Sequence, residues 1–563
     1  MKRLISVLLL AMLALSACTT IPDTGPVEEI PIEAAPRGVE FAPEPPSQDV
    51  DPVALVEGFL QAMADPDSNY AVARKYLTNQ AAVQWQPELE VRIYDGQVLA
   101  EEEEPSTVTL SGSQLGIVDS SGRYQASPAQ LSVEFELAIE DGQWRINKPP
   151  EGLLVSRYIF ERFYSHFPTY FMSYSGSYVL PDLIHIPERL VTPSRLVELQ
   201  LQGPGAAAAL VAHNAIPSGV ALAAEGASID SQGTAQVYLT GLSDDVPPDR
   251  RRQLAAQLLW SLSAFSGVTG LRLFVDAEPY DLPGQNAEGV LKLASQQGYQ
   301  ALSRAGAADL FAVRASIAGR VTSTGSFLPI SSLVSYRSSE IAVAIDASAV
   351  AIIDDNRSFV LIGPMNGQVT PVAPGIGSLS HLHFANGYAY ALGVAETGAS
   401  QLLRADSQGD FTTTALNGIP GKTTVMAVSP SGTQVVSVSQ EGQLGIATLA
   451  VGTNLAIRDW RELTPGIAAK QVTVLDADWS SESSLAIIAD VDGRRAVYRM
   501  SIDGALVTEL GTVGIVPSQV TALPRPDPDW IAVRNDANRV LRSNERNLWA
   551  QLDLELSDIS YPG

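Results

Sequence analysis

The chain has 563 residues, a single cysteine, 45% hydrophobic residues and a formal charge of −26. That length argues for three or four domains and the composition for packed globular structure, while the acidity sets nucleic acid aside as a partner, because negative surfaces repel phosphate backbones. With one cysteine there is no intramolecular disulfide, so folding rests on core burial.

Lys2 and Arg3 precede an apolar run over 4–15 that ends in Leu15-Ser16-Ala17-Cys18. A positive start, a short apolar segment and a small-residue site read as a secretory signal over 1–17. About 12 residues at about 1.5 Å each reach about 18 Å, short of the roughly 30 Å of a bilayer core. Cleavage just before Cys18 resembles the bacterial lipobox, and the resemblance implies S-diacylglycerol and N-acyl groups on Cys18. Two or more acyl chains hold a domain firmly to a membrane, so Cys18 is the expected anchor, with palmitate among its chains, on the extracytoplasmic face of the cell membrane. An ordinary signal peptide with a cysteine at its end is the alternative. Loss of Lys2 and Arg3 takes the formal charge from −26 to −28. No later apolar stretch is long enough to span a bilayer; the Ala-rich 205–212 segment is short and reads as a buried element. Residues 18–49 mix seven prolines, among them Pro22, Pro43 and Pro46, with Glu28, Glu33 and Glu44. Fixed φ, missing donors and like charges predict an extended tether, reaching up to about 90 Å at about 3.1 Å per residue.

The first folded unit is expected over 50–165. Asp51-Pro52 is a helix cap followed by proline at the first helical position, and Val53, Val56, Phe59, Leu60 and Met63 recur at helical spacing. Asp65-Pro66-Asp67 breaks that helix, and a second helical piece runs through Tyr70, Ala73 and Leu77. After Glu101 to Glu104 the pattern turns to strands over 108–117, 130–139 and 144–146, with a hairpin turn at Asp141-Gly142. Helices followed by a curved antiparallel sheet resemble the cone-shaped α+β domain of nuclear transport factor 2. Trp85 and Trp144 are expected in its core, with a ligand platform as the alternative.

The second unit is expected over 166–281. Tyr170-Phe171-Met172 leads a strand, Leu180-Pro181-Asp182 reads as a turn, and Thr192-Pro193-Ser194 caps a helix that stops at Gly203-Pro204. After the turn Ile216-Pro217-Ser218-Gly219 come a strand over 235–239, a helix from Pro247-Pro248-Asp249 burying Leu254, Leu258 and Leu262, and a strand over 271–275. This order resembles the GerM-type domain of bacterial sporulation, germination and envelope lipoproteins, a binding or structural module. Arg250, Arg251 and Arg252 form either a partner patch or solvated helix surface. A Gly-, Gln- and Ala-rich connector is expected over 282–325. Across 326–563 turn anchors recur roughly every 39 to 50 residues, each followed by an apolar strand, a polar turn and another strand. Val425 to Gly432, then Gln434 to Val438, then Glu441-Gly442 show the unit most clearly. Short alternating strands at that period predict a β-propeller: five blades, with a sixth completed by the two ends of the domain.

Lipobox, proline tether, cone, GerM-like domain and propeller together resemble the LpqB family of actinobacterial envelope lipoproteins over essentially the whole chain. The most telling stretches are Cys18 to Pro26, Asp51-Pro52 with Phe59-Leu60-Gln61-Ala62-Met63, and Leu282-Pro283-Gly284-Gln285. The resemblance implies an accessory protein of the MtrAB two-component system that touches the extracytoplasmic part of the sensor histidine kinase MtrB and influences envelope homeostasis and division.

Local signatures of serine, β-lactam, zinc and P-loop chemistry are absent from the sequence, so the expected function is not enzymatic and no cofactor is called for. Of five histidines only His381 and His383 have suggestive spacing, because residues two apart on a strand share a face; no third ligand is evident and no metal site is expected. A module that binds peptidoglycan or another envelope glycan, through a pocket lined by aromatics and carboxylates, is the alternative reading. A glycan hydrolase is the third, since carboxylates are abundant.

Overall fold

Asp51 sets the first element: its side chain accepts from the Ala54 N–H at 3.0 Å and Pro52 opens the helix Pro52–Ala62. The computed structural model describes residues 43–101, 106–300, 308–451, 455–525, 530–543 and 548–563, so the signal, Cys18 and most of the tether lie outside the described residues. Pro43 to Gly563 belong to one unit.

The helix lays Leu55, Val56, Phe59 and Leu60 on a five-stranded sheet of order β4-β3-β2-β1-β5, made of β1 (Glu90–Glu101), β2 (Thr107–Asp119), β3 (Tyr124–Glu140), β4 (Gln143–Lys148) and β5 (Leu153–Ser156). Neighbours pair antiparallel except β1 with β5, which run parallel. Register shifts at Ile93/Tyr94, Asp95/Val98 and Gln114/Gly116 are bulges that add the curvature a cone needs. Phe59 meets Trp85 at 5.4 Å and the edge of Phe135 at 6.3 Å, and the buried Trp85 donates its Nε1–H to the Pro150 and Gly152 carbonyls. Trp85 is therefore a core residue with its one donor satisfied, and Trp144 packs partly buried against the same core.

In the second domain the hairpin of β6 (Tyr164–Ser173) and β7 (Val179–Pro187) lies beside the helices Pro193–Leu201 and Pro248–Leu262. The second helix crosses over between the parallel strands Thr234–Thr240 and Gly270–Val275. Leu180-Pro181-Asp182, expected as a turn, sits inside β7. That strand is an edge of its sheet, where a proline without an N–H is tolerated, and the hairpin turns instead after Ser173, with Gly176 at φ 72°. The stretch 282–325, expected as a connector, is divided between its neighbours. Leu282 and Leu291 are buried in the second domain's core, whereas Leu310–Arg314 and Ile317–Val321 are propeller strands.

Six four-stranded sheets form the propeller. Blades 2 to 6 (338–372, 377–415, 423–462, 472–509 and 519–555) are each continuous in sequence; blade 1 takes three strands from the domain's start and Asp558–Ser560 from its end, so the two chain ends close the ring. One buried apolar cluster fills each junction between successive blades, including that between blades 6 and 1. Carboxylates, all but Glu340 buried, add polar staples across the same junctions. Glu340 accepts from the Leu382 N–H, Asp476 from Val520, Asp478 from Ala522 and Asp558 from Ile341, at 2.7 to 3.1 Å.

These staples carry a pH signature. Burial pushes Asp476 up from 3.8 to about 8, and burial with the nearby Glu340 charge pushes Asp558 up to about 7. A carboxyl raised in the fold holds more protons folded than unfolded, so its contribution is fully present below pH ~4 and is lost as pH rises through about 8. The thermal midpoint should therefore fall between pH 6.5 and 8.5, and Asp476→Asn, which keeps an acceptor for Val520, should flatten that fall. An unchanged slope in the variant's melting curves would contradict this.

Candidate functional site

The three domains meet around β7. Its position opposite β6 puts His166 directly across from His185, with the two Nδ1 atoms 2.7 Å apart. His185 is 1% exposed; its backbone N–H donates to the Gly122 carbonyl of the cone at 2.7 Å, and its Nε2 lies 2.7 Å from Asp503 Oδ2 of blade 5. His166 Nε2 lies 3.1 Å from the Phe160 carbonyl, which ends this series of hydrogen bonds on the side away from Asp503.

The partners fix the protons. A carbonyl and a carboxylate, both acceptors, bound the pair, so the two imidazoles hold three protons between them: one toward Phe160, one shared by the Nδ1 atoms and one toward Asp503. The extra charge belongs beside Asp503. Burial, then the charge of His185, lowers His166 from 6.5 to about 4, which keeps it neutral. Burial alone raises the Asp503 carboxyl, but His185 together with hydrogen bonds from Ser501 and Ala505 holds it below the ordinary carboxylate range. All four ring nitrogens have partners, so in this arrangement neither histidine is free to act as a general base.

Arg123 makes a second cross-domain contact, donating Nε–H to Asp182 at 2.8 Å, while Asp182 also accepts from the Gly205 N–H. Leu183 packs against the propeller core of blades 4 and 5, and Ala505 and Leu506 of blade 5 pack against the cone core. Between these contacts lies a cavity of about 1100 Å³ bounded by all three domains, with Tyr124, Ala206, Trp460, Arg461 and Glu482 in its wall. Trp460 and Arg461 reach it from the last strand of blade 4, Leu455–Glu462, whose pairing slips between Ile446 and Thr448 with Asp459 at φ 54°. That bulge breaks the alternation and re-aims both side chains. Gly445 leaves the room: a Cβ there would stand 2.3 Å from the Trp460 ring.

The other residues singled out from sequence lie apart from this site. His381 sits at a register shift with φ 52°, which breaks the alternation expected to put it on one face with His383; its Nδ1 lies 3.2 Å from Ser380 Oγ, while His383 lies 3.7 Å from Asp478. Among the described residues no group of three or more His, Cys, Asp or Glu is placed to hold a metal ion. The arginine triplet is engaged locally: Arg251 donates to Val246 and stacks 4.8 Å over Tyr280, Arg252 pairs with Asp249, and Arg250 reaches His213 and Gln253. The His166–His185 pair was the signal missed; placing the hairpin turn at Ser173-Tyr174-Ser175-Gly176 brings the two into register.

Fold and site together define a multidomain propeller protein with a cavity between its domains. Residues 45–161 match the family described as "Lipoprotein LpqB, N-terminal domain", 168–281 "Sporulation and spore germination", and 323–561 "Lipoprotein LpqB beta-propeller domain". Lipoprotein LpqB of Cutibacterium acnes is 26% identical over 580 residues, covering 97% of each chain, and that of Rhodococcus jostii is 24% identical over 575 residues, covering 96% of this chain and 93% of its own. The chain belongs to the LpqB family of lipoproteins, which are membrane-anchored envelope proteins. Solved structures share only remote similarity: a nidogen/laminin complex chain at 11% identity with TM-score 0.35, covering 45% of this chain and 97% of its own, and virginiamycin B lyase from Staphylococcus aureus at 13% with TM-score 0.31, covering 46% and 82%. Among the described residues no helix is long and apolar enough to cross a membrane.

Two predictions follow from the histidine chain. Removing one partner of a buried pair strands the other, so Asp503→Leu should cost about 3–5 kcal/mol in urea unfolding, while the double variant His185→Phe/Asp503→Leu should recover most of it. A double-variant loss equal to the sum of the losses of Asp503→Leu and His185→Phe measured singly would mean the pair is not coupled. A histidine held neutral by the fold contributes stability that is present above its ordinary value of 6.5 and lost as pH falls through about 4. His166→Gln should therefore lose less stability than the parent between pH 6.5 and 4, as read by urea titrations at each pH.

Proposed function

We propose that this protein is a lipid-anchored extracytoplasmic accessory protein that binds the extracytoplasmic part of an MtrB-like sensor kinase and modulates an MtrAB-type two-component system, affecting envelope homeostasis and division. The observation that carries the reading is the locking of three domains into one body behind a tether. His185, Arg123 and Leu183 join the cone, the GerM-like domain and the propeller, so a contact on one domain is mechanically felt by the others. Anchoring through Cys18 confines that body to the sensor's membrane, and confinement raises the local concentration enough for a weak contact to be occupied. Family membership supports the envelope location.

A second reading has its own support. Tyr124, Trp460 and carboxylates in the wall of the cavity fit an envelope-glycan ligand, although the cavity lies between domains and not inside the cone or at the propeller mouth.

The residues from Pro43 to Gly563, mixed with the purified extracytoplasmic domain of the sensor kinase, should bind with a dissociation constant of about micromolar or tighter. In cells Cys18→Ser should move the chain out of the membrane fraction and abolish its effect on the kinase. No binding even with both proteins anchored in one bilayer would sink the sensor reading and leave the glycan one.

A further inference from the structure

Arg461 is a half-buried cation in the wall of the interdomain cavity, and among the described residues its guanidinium makes no hydrogen bond or ion pair. Burial lowers its pKa and the charge of Asp503 opposes this only in part, so among the described residues the site bears a desolvation cost that is not fully offset. Asp503 acts on it only through its charge: its oxygens accept from His185, Ser501 and Ala505, and it makes no ion pair with Arg461. Arg123, the other arginine of the wall, is spent on Asp182, Ser121 and the Gly203 carbonyl. One planar donor fork is thus left facing a space of about 1100 Å³.

The surroundings select among anions. Glu90, Asp459, Glu462 and Glu482 also line the cavity, which makes it acidic apart from the spot at Arg461 and disfavours a dianion such as phosphate. A carboxylate carries one charge and fits the guanidinium in a bidentate pair; an ammonium on the same molecule suits the acidic remainder. The Ala206 to Ala208 segment, Leu180 and Ile502 supply apolar wall for the part between. We propose that the cavity binds a short peptide with a free carboxylate and a free amine, its carboxylate held by Arg461. This site is independent of the sensor contact, and it sharpens the second reading above by assigning recognition to peptide rather than sugar.

The test uses the mature lipidated chain in nanodiscs and isothermal titration calorimetry with a panel of apolar tri- to pentapeptides of L- and D-residues, trialanine included. Each is compared with its C-terminal amide and its N-acetyl form, with inorganic phosphate, and with a chitin disaccharide. At least one free peptide should bind saturably, with its amide about tenfold or more weaker. Arg461→Gln should abolish the difference between acid and amide at an unchanged melting temperature. If that variant does not fold, the acid and amide comparison on the parent chain decides alone. No binding by any peptide, equal affinity of acid and amide, or displacement by phosphate would overturn the proposal. Binding of the disaccharide without any peptide would also overturn it, while leaving the glycan reading in place.

Discussion

His185 holds the molecule's three domains in one arrangement. Its backbone N–H bonds the cone, its Nδ1 bonds the facing strand of its own hairpin, and its Nε2 bonds the propeller. A fully buried imidazole flanked by acceptors on both sides is stable only if the chain carries the additional proton, and that proton is stable only with Asp503 ionised beside it. The interface is thus conditional: the cone and the propeller share one body because a charge pair, costly to bury, is fully matched. Ser501 and Ala505 complete the carboxylate's shell, and they lie in the blade 5 loop whose Ala505 and Leu506 also pack on the cone. Polar and apolar contacts at the junction are therefore parts of one loop.

The propeller solves a different problem with the same chemistry. A ring of sheets needs every junction filled, and a chain of this acidity has carboxylates to spare. Apolar clusters supply the bulk of the cohesion. The stapling carboxylates satisfy backbone N–H groups of the next blade that no ladder partner reaches, which sets the position of one inner strand against the next. Burial makes Asp476 and Asp558 hard to ionise, so these two fit best in a neutral form. Acid therefore pushes the two parts of the molecule in opposite directions, easing the propeller's staples while charging the neutral histidine of the interdomain chain.

Elements with strong local periodicity were legible in sequence. Asp51-Pro52, the helix Pro248–Leu262 and the blade beginning near Val425 follow from caps, helical spacing and strand alternation, and the closure of a sixth blade follows from counting. What escaped were features set by tertiary context. Pro181 reads as a turn until its strand is known to be an edge, and with that strand broken His166 and His185 have no reason to meet. Leu310–Arg314 carries no mark of a propeller strand until its partner arrives from the far end of the chain at Asp558–Ser560. Arg461 escaped for a related reason: the bulge at Asp459 displaces it from the alternation that pattern reading assumes.

That displacement bears on why the cavity is there. A flush packing of three convex domains would need complementary faces, whereas here two cross-domain charge pairs, His185–Asp503 and Arg123–Asp182, hold the domains apart at fixed points and leave about 1100 Å³ between them. Dispersion forces favour collapse of such a space, and a long side chain such as Arg461 could fill part of it or turn outward to pair with the acidic surface. It instead stays half-buried in the wall, with no hydrogen bond or ion pair among the described residues. What sets Arg461 apart is its place: it is a half-buried cation in a cavity wall, where burial opposes its charge and no ion pair among the described residues offsets it. The economical physical account is that the matching negative charge comes from outside the fold, and that the domains' separation and the arginine's isolation are two aspects of one binding space.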